Sequence, residues 1–184
     1  MKKTEIISII KACQDGKKDS FAYIVEAFQE KIYRFCFHLL DVTEDARDAT
    51  SEVFLKTFIN LGRFDESQQF SSWLFRIAYN HCIDILRKEK RERKFLRSQF
   101  SSAISNNHRT PSIEDHYLES LEKEKLNNAL RGLPSQYLTS LLLRYQFELS
   151  YAEIAKVMNK PISSVRILIF RAKKELRKIM GKGV

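Results

Sequence analysis

The residues best suited to chemistry in this chain are those that could read or neutralise a polyanion. Ser163, Ser164, Arg166 and Ile167 stand together near the C-terminus, with Arg171, Lys173, Lys174, Arg177 and Lys178 behind them. Short hydroxyls and an arginine at the start of a helix can reach base edges in a DNA major groove. The later cations, like the helix N-terminus itself, suit phosphates. The charge pattern agrees with this. The net charge is +9, yet residues 1–92 carry 15 Lys/Arg against 15 Asp/Glu, whereas residues 131–184 carry 11 against 3. An excess confined to the last third is the electrostatic footprint of a nucleic-acid partner. A solvated basic helix face would have the same composition, so charge alone does not decide between the two.

The elements that must position these residues are legible. Ser150-Tyr151-Ala152-Glu153 fits a capping box, in which hydroxyl and carboxylate satisfy each other's unpaired amides. It opens a helix with Ile154, Ala155 and Met158 on one face, Ala155 being small enough for a second helix to cross closely. Asn159 tolerates the left-handed turn needed next, and Pro161 prevents simple continuation. Ser163 is the expected cap of a second helix with Val165, Leu168 and Ile169 turned inward. This is the core spacing of a DNA-binding helix-turn-helix.

A second constellation is acidic. Asp45, Asp48 and Glu52 recur at spacings of three and four, so they share one ridge of a helix. Such a ridge can pair with a basic partner or simply be solvated. Exposed ion pairs contribute only about 0–1 kcal/mol each, so a partner held there would also need apolar contacts, for which Phe54, Leu55 and Phe58 are the candidates. A third group combines the polar stretch Asp65, Glu66, Ser67, Gln68 and Gln69 with Asn80 and the basic run Arg87, Lys88, Lys90 and Arg91. Phe70, Trp73, Phe75 and Tyr79 could stack on unpaired bases, although Phe70 and Trp73, three apart on an apolar face, fit a core better.

Other chemistries are not signalled. His38, His81, His108 and His116 are scattered, and Cys13, Cys36 and Cys82 lack metal-site or redox-motif spacing, which suggests packed thiols. We find no catalytic set, phosphate-binding glycine loop or metal cluster, and expect no enzyme activity, cofactor or small-molecule substrate. Charges at Glu5, Lys11 and Asp15 interrupt any export signal, and no apolar run approaches about 20 residues. A cytoplasmic protein without membrane insertion is the expectation.

With 5 Gly and 3 Pro in 184 residues, long helices are favoured over many short strands. Phe21, Ile24, Val25, Phe28, Ile32, Phe35 and Leu39 form one buried stripe. Thr43 is the expected cap of the next helix, running to Asn60. A further helix is expected from Ser72 to about Arg91, through Trp73, Leu74, Ile77, Ala78, Cys82, Ile85 and Leu86. Residues 98–112 lose periodicity and are rich in Ser and Asn, which suits a flexible linker. Helical pattern returns near Ile113. The expected fold is all-α, with a helical domain over 1–95, a linker over 96–117 and a second helical domain, holding the helix-turn-helix, over 118–184.

Three stretches together resemble the extracytoplasmic-function sigma factors of bacterial RNA polymerase. Glu44-Asp45-Ala46-Arg47-Asp48-Ala49-Thr50-Ser51-Glu52-Val53-Phe54-Leu55 is similar to the family's polymerase-docking helix. Phe70 to Asn80, continuing through Asp84 to Lys88, resembles its segment for melting and reading the −10 element. Leu133 to Leu176 resembles its −35-binding domain. The resemblance implies core RNA polymerase, promoter DNA and an anti-sigma protein as partners. It implies polymerase contacts at Asp45, Asp48, Ser51, Glu52, Phe54 and Leu55, and −10 contacts at Asp65, Glu66, Ser67, Asn80, Arg87, Lys88 and Arg91. It implies −35 contacts at Ser163, Ser164, Arg166, Ile167, Arg171 and Lys174. Ser51 stands where many members have Gln, and Ile167-Leu168 where Ser-Arg is common. A promoter preference is therefore not transferable. Two other readings use the same residues: a stand-alone helix-turn-helix regulator, and a polymerase adaptor that never touches DNA.

Overall fold

A computed structural model describes residues 3–99 and 119–181. Among these residues there are helices, turns and coil, and no strand. The fold is all-α, in two helical regions. Residues 100–118, which take in most of the expected 96–117 linker and the returning pattern at Ile113, lie outside the described residues.

The first region comprises α1 (Lys3–Gln14), α2 (Phe21–Leu40), α3 (Thr43–Ile59) and α4 (Phe70–Gln99). Helix α2 is its spine. Phe21, Ile24, Phe28, Ile32, Phe35 and Leu39 are buried as their spacing requires, together with Cys36 and Leu40. Burying one such large apolar side chain is worth roughly 1.5–3 kcal/mol, so this stripe supplies much of what holds the region together. Asp41 ends α2 in the left-handed conformation (φ 57°), its amide donating to the Phe37 carbonyl. Helix α1, which is buried through Ile6, Ile10 and Cys13, escaped the sequence reading.

Two expected boundaries shift. Helix α3 starts at Thr43 itself after an extended Val42, and no side chain caps it. The acidic first turn, Glu44 and Asp45, is left to complement the helix dipole. Helix α4 begins at Phe70, two residues before Ser72, and continues beyond Arg91 to Gln99. Its start is packed inward, with Phe70 against Phe28, Phe64 and Trp73. Its second half carries the basic run outward into solvent.

The second region comprises α5 (Glu119–Arg131), α6 (Ser135–Leu141), α7 (Tyr151–Met158) and α8 (Ile162–Gly181). Leu138, Leu141, Leu142, Leu143, Ile154, Val157, Val165 and Ile169 build its core. Helix α6 leaves through a wide π turn, Leu142–Gln146, closed by the Phe147 amide on the Leu142 carbonyl at 3.0 Å. Glu148 then takes a left-handed φ of 57°. The effect is to throw Phe147 away from its own core while Leu149 returns to it, 4% exposed.

Candidate nucleic-acid interface

The helix-turn-helix is built as its sequence demands. Ser150 is extended (φ −68°, ψ 160°). Its hydroxyl accepts from the Glu153 amide at 3.3 Å, and Glu153 Oε2 accepts from the Ser150 amide at 2.8 Å. Burial would raise the Glu153 carboxyl, but hydrogen bonds from Ser150 and from the Ser72 hydroxyl outweigh it and hold the group below the usual range. Asn159 makes the turn in the left-handed region (φ 51°, ψ 52°). Ser163 does not cap α8. The helix starts one residue earlier at Ile162, and the first bond runs from the Val165 amide to the Pro161 carbonyl. Proline supplies its carbonyl there and needs no amide, which leaves the Ser163 hydroxyl unused for capping.

The outward face of α8 presents Ser163, Ser164, Arg166, Ile167, Arg171 and Lys174, all exposed. Val165 and Ile169 are buried, and Leu168 is half-buried against the core. The Arg166 guanidinium lies 5.9 Å from the Tyr151 ring centre, and that of Arg144 lies 5.2 Å from the same ring. Tyr151 thereby steadies a base-reading candidate from the preceding helix. The sequence reading missed Phe170. It is 71% exposed, one turn beyond Ile167 at 52%, and gives α8 an apolar strip between cations.

On α3, Asp48, Ser51 and Glu52 are exposed and Asp45 is half-buried. Ser51 is tied back to the Arg47 carbonyl at 3.1 Å. Phe54 differs from the surface role expected of it. It is 7% exposed, and its ring lies edge-on to Phe21 at 6.4 Å. It belongs to the core, because the residue that shares its face is the buried Thr57, not the exposed Leu55. Leu55 and Ile59, 52% and 69% exposed, are the apolar residues presented to solvent. A shallow hollow of about 380 Å³ opens beside them over Phe21, Phe54, Leu55 and Phe58.

The loop before α4 uses its own side chains. Asp65 accepts from the Ser67 hydroxyl at 2.7 Å and the Ser67 amide at 2.9 Å, and these bonds lower its carboxyl below the usual range. Glu66 pairs with Lys11 at 3.5 Å. These side chains shape the loop as well as facing solvent. Beside the loop lies a groove of about 310 Å³ that includes Lys56, Asn60, Arg63, Trp73, Asn80 and His81 in its lining. Asn80 was expected at a surface of this kind. Lys56 and Arg63 were not, since they are distant from Asn80 in sequence and meet it only when the chain packs; Trp73, on the same helix as Asn80 and expected chiefly as core, is half-buried and lines the groove. Phe70, Phe75 and Tyr79 are buried. Further along α4, Arg87, Lys90, Arg91 and Lys94 line one shallow hollow at helical spacing, while Lys88 is exposed outside it. A groove holding an amide, an aromatic edge and two cations suits an unpaired base, and a basic stripe suits phosphates.

Comparison with known proteins agrees with this arrangement. Sigma-70 region 2 matches residues 24–92, and Sigma-70 region 4 matches residues 123–176. The ECF RNA polymerase sigma factor SigW of Bacillus subtilis is 33% identical over 92% of this chain and 93% of its own length. SigM of the same organism is 32% identical over 88% and 95%. Among solved structures, CnrH in complex with the cytosolic domain of CnrY superposes with a TM-score of 0.72 at 18% identity over all of both chains. The sigma factor RpoE of Bartonella quintana, in complex with the anti-sigma factor NepR, gives 0.73 at 19% identity over 89% and 98%. Both share the fold. The chain belongs to the extracytoplasmic-function RNA polymerase sigma factors. It binds core polymerase and directs initiation at promoters. Among the described residues no helix is long and apolar enough to cross a membrane.

Proposed function

We propose that residues 1–95 dock on core polymerase and open the −10 element, that 96–117 link, and that 118–184 bind the −35 duplex. Asp45, Asp48, Ser51, Glu52 and Leu55 form the polymerase face, with Ile59 added and Phe54 supporting from beneath. The 65–67 loop, Asn80 and the Trp73 groove take an unpaired base, and Arg87, Lys88 and Arg91 hold phosphates. Ser163, Ser164, Arg166, Ile167, Arg171 and Lys174 face the −35 duplex, with Phe170 among them. The protein acts in the cytoplasm by binding alone, with no catalytic residue. An anti-sigma protein is its proposed antagonist, a reading supported by RpoE, which shares the fold and is seen in complex with the anti-sigma factor NepR.

The observation that carries this reading is the continuity of α4, which bears both the Trp73–Asn80 groove and the Arg87–Lys94 stripe. One rigid helix can thus hold a single-stranded base and duplex phosphates together. Promoter binding and run-off transcription, each with and without core enzyme, test it. Specific binding and transcripts should require core enzyme. Tight promoter binding by the chain alone, unchanged by core enzyme, would point to a stand-alone regulator instead.

A further inference from the structure

The groove beside the 65–67 loop holds a cation without an acid to match it. Lys56 is half-buried, and among the described residues its ammonium has no carboxylate within 4.0 Å. Its side-chain partner is Nδ1 of the half-buried His81, 2.7 Å away on α4. An ammonium has three hydrogens and the neutral imidazole accepts one. Two remain for whatever enters the groove, which Asn80, Arg63 and Trp73 also line.

A carboxylate in the place of His81 would fix the lysine and cancel its charge together. A neutral imidazole does the first without the second. Lys56 is thereby held in one place and stays able to donate to an acceptor edge of a base. The ring can serve only while it is unprotonated. A charged imidazole has two donors and no acceptor, and it would set two positive charges side by side, so that Lys56 must swing away. The charged groups around the ring decide when this happens. Burial and Lys56 on α3 keep the proton off, whereas Glu52 on α3 and Asp84 on α4 draw it on. Arg63 adds a further positive charge to the groove wall.

We propose that His81 is a positioning residue for base reading: its neutral ring holds Lys56 in the groove, and the groove tells one unpaired base from another only while that ring is uncharged. The proposal rests on the assignment of this groove to the −10 element. Acidification then acts on the choice of base and not on overall affinity. Added positive charge attracts any phosphate backbone, so at low pH binding to DNA of every sequence should be kept or strengthened while discrimination falls.

The test uses the full chain with core polymerase on a forked DNA, duplex through the −35 element and single-stranded in the non-template −10 segment, so that no melting is needed. Each base of that segment is varied in turn, and the ratio of Kd between the worst and the best base is followed from pH 7 to pH 5. In the native complex the ratio at the position held by the groove should fall about fivefold, the worth of one hydrogen bond of typical strength. His81→Asn offers an amide oxygen that accepts and does not titrate, so its ratio should hold across the range. His81→Ala and Lys56→Met should have the low ratio already at pH 7. A native ratio unchanged down to pH 5 overturns the proposal. So does a His81→Asn complex that falls in step with the native one, or a His81→Ala complex that discriminates as the native one does at pH 7. Should His81→Ala fail to fold, the native and His81→Asn profiles still decide. Failure of the groove assignment would look different, because Lys56→Met and Asn80→Ala would then leave the ratio at every position unchanged at pH 7.

Discussion

The ammonium of Lys56 lies 2.7 Å from Nδ1 of His81, joining α3 to α4 across the floor of the candidate base groove. Ammonium can only donate, so Nδ1 accepts, and the imidazole is neutral with its proton on Nε2. Burial and the Lys56 charge both hold the His81 pKa below its ordinary value, against the opposing pull of Glu52 and Asp84. The unfolded chain therefore binds more protons than the folded one below about pH 6.5, and stability is lost as pH falls through that window. His81→Gln keeps an acceptor for Lys56 and does not titrate. The drop in urea midpoint between pH 7 and pH 5 should be smaller in His81→Gln than in the native chain.

Phe54 and Leu55 are neighbours in sequence with opposite duties. Phe54→Ala removes a buried ring and should cost about 3–5 kcal/mol in denaturant unfolding. Leu55→Ala should change stability by no more than about 0.5 kcal/mol, yet weaken binding to core polymerase. An equal loss of polymerase affinity per unit of lost stability in both variants would remove Leu55 from the polymerase face.

The capping box separates a neutral from a charged contribution. Ser150→Ala should destabilise α7 by about 1 kcal/mol, visible as faster hydrogen exchange of its amides. Glu153→Gln retains the capping geometry, because Gln can serve in a capping box. The folded carboxyl of Glu153 lies below its ordinary value, so its charge stabilises above the unfolded pKa, near 4.3 for a free Glu. That contribution fades as pH falls through the folded value. Glu153→Gln should be less stable than the native chain at pH 7 and match it near pH 2.

On α8 the cations and the apolar strip should behave differently. Arg171→Ala or Lys174→Ala should weaken promoter binding by the holoenzyme to a similar extent across −35 sequences, and lower the salt slope by about 1. Ile167→Ala and Phe170→Ala should leave that slope unchanged and instead alter the preference among −35 sequences, because the apolar feature offered by the major groove is the thymine methyl. Competition between −35 sequence variants at two salt concentrations distinguishes these outcomes.

What could be read from the sequence follows the range of the interactions involved. The α2 stripe, the Ser150–Glu153 box and the Asn159 turn are set by residues within four of one another, and the structure has each where it was expected. Thr43 and Ser163 have the right chemistry for caps, but Thr43 is already the first residue of its helix and Ser163 the second, where packing or a proline fixes the start. Phe54 fits either a surface or a core by type, and only its contact with Phe21 decides. The groove is the same problem on a larger scale. Asn80 could be singled out as polar and exposed, but Lys56 and Arg63 join it through the α3–α4 packing alone. Phe147 carries no periodic signal at all, since its position depends on a π turn.

Helix α4 runs without a break from Phe70 to Gln99. Asn80 and Arg91 are therefore separated by about 16 Å of rise, at 1.5 Å per residue, and by three turns. If Asn80 and Arg91 hold DNA as proposed, the helix is a ruler that fixes how far the opened strand begins from the phosphates that are still paired. One residue inserted between the two positions would add little length but would swing the cations about 100° around the axis. Under the assignment proposed above, the start of melting is set by angular phase along a single helix, and composition alone would not preserve it.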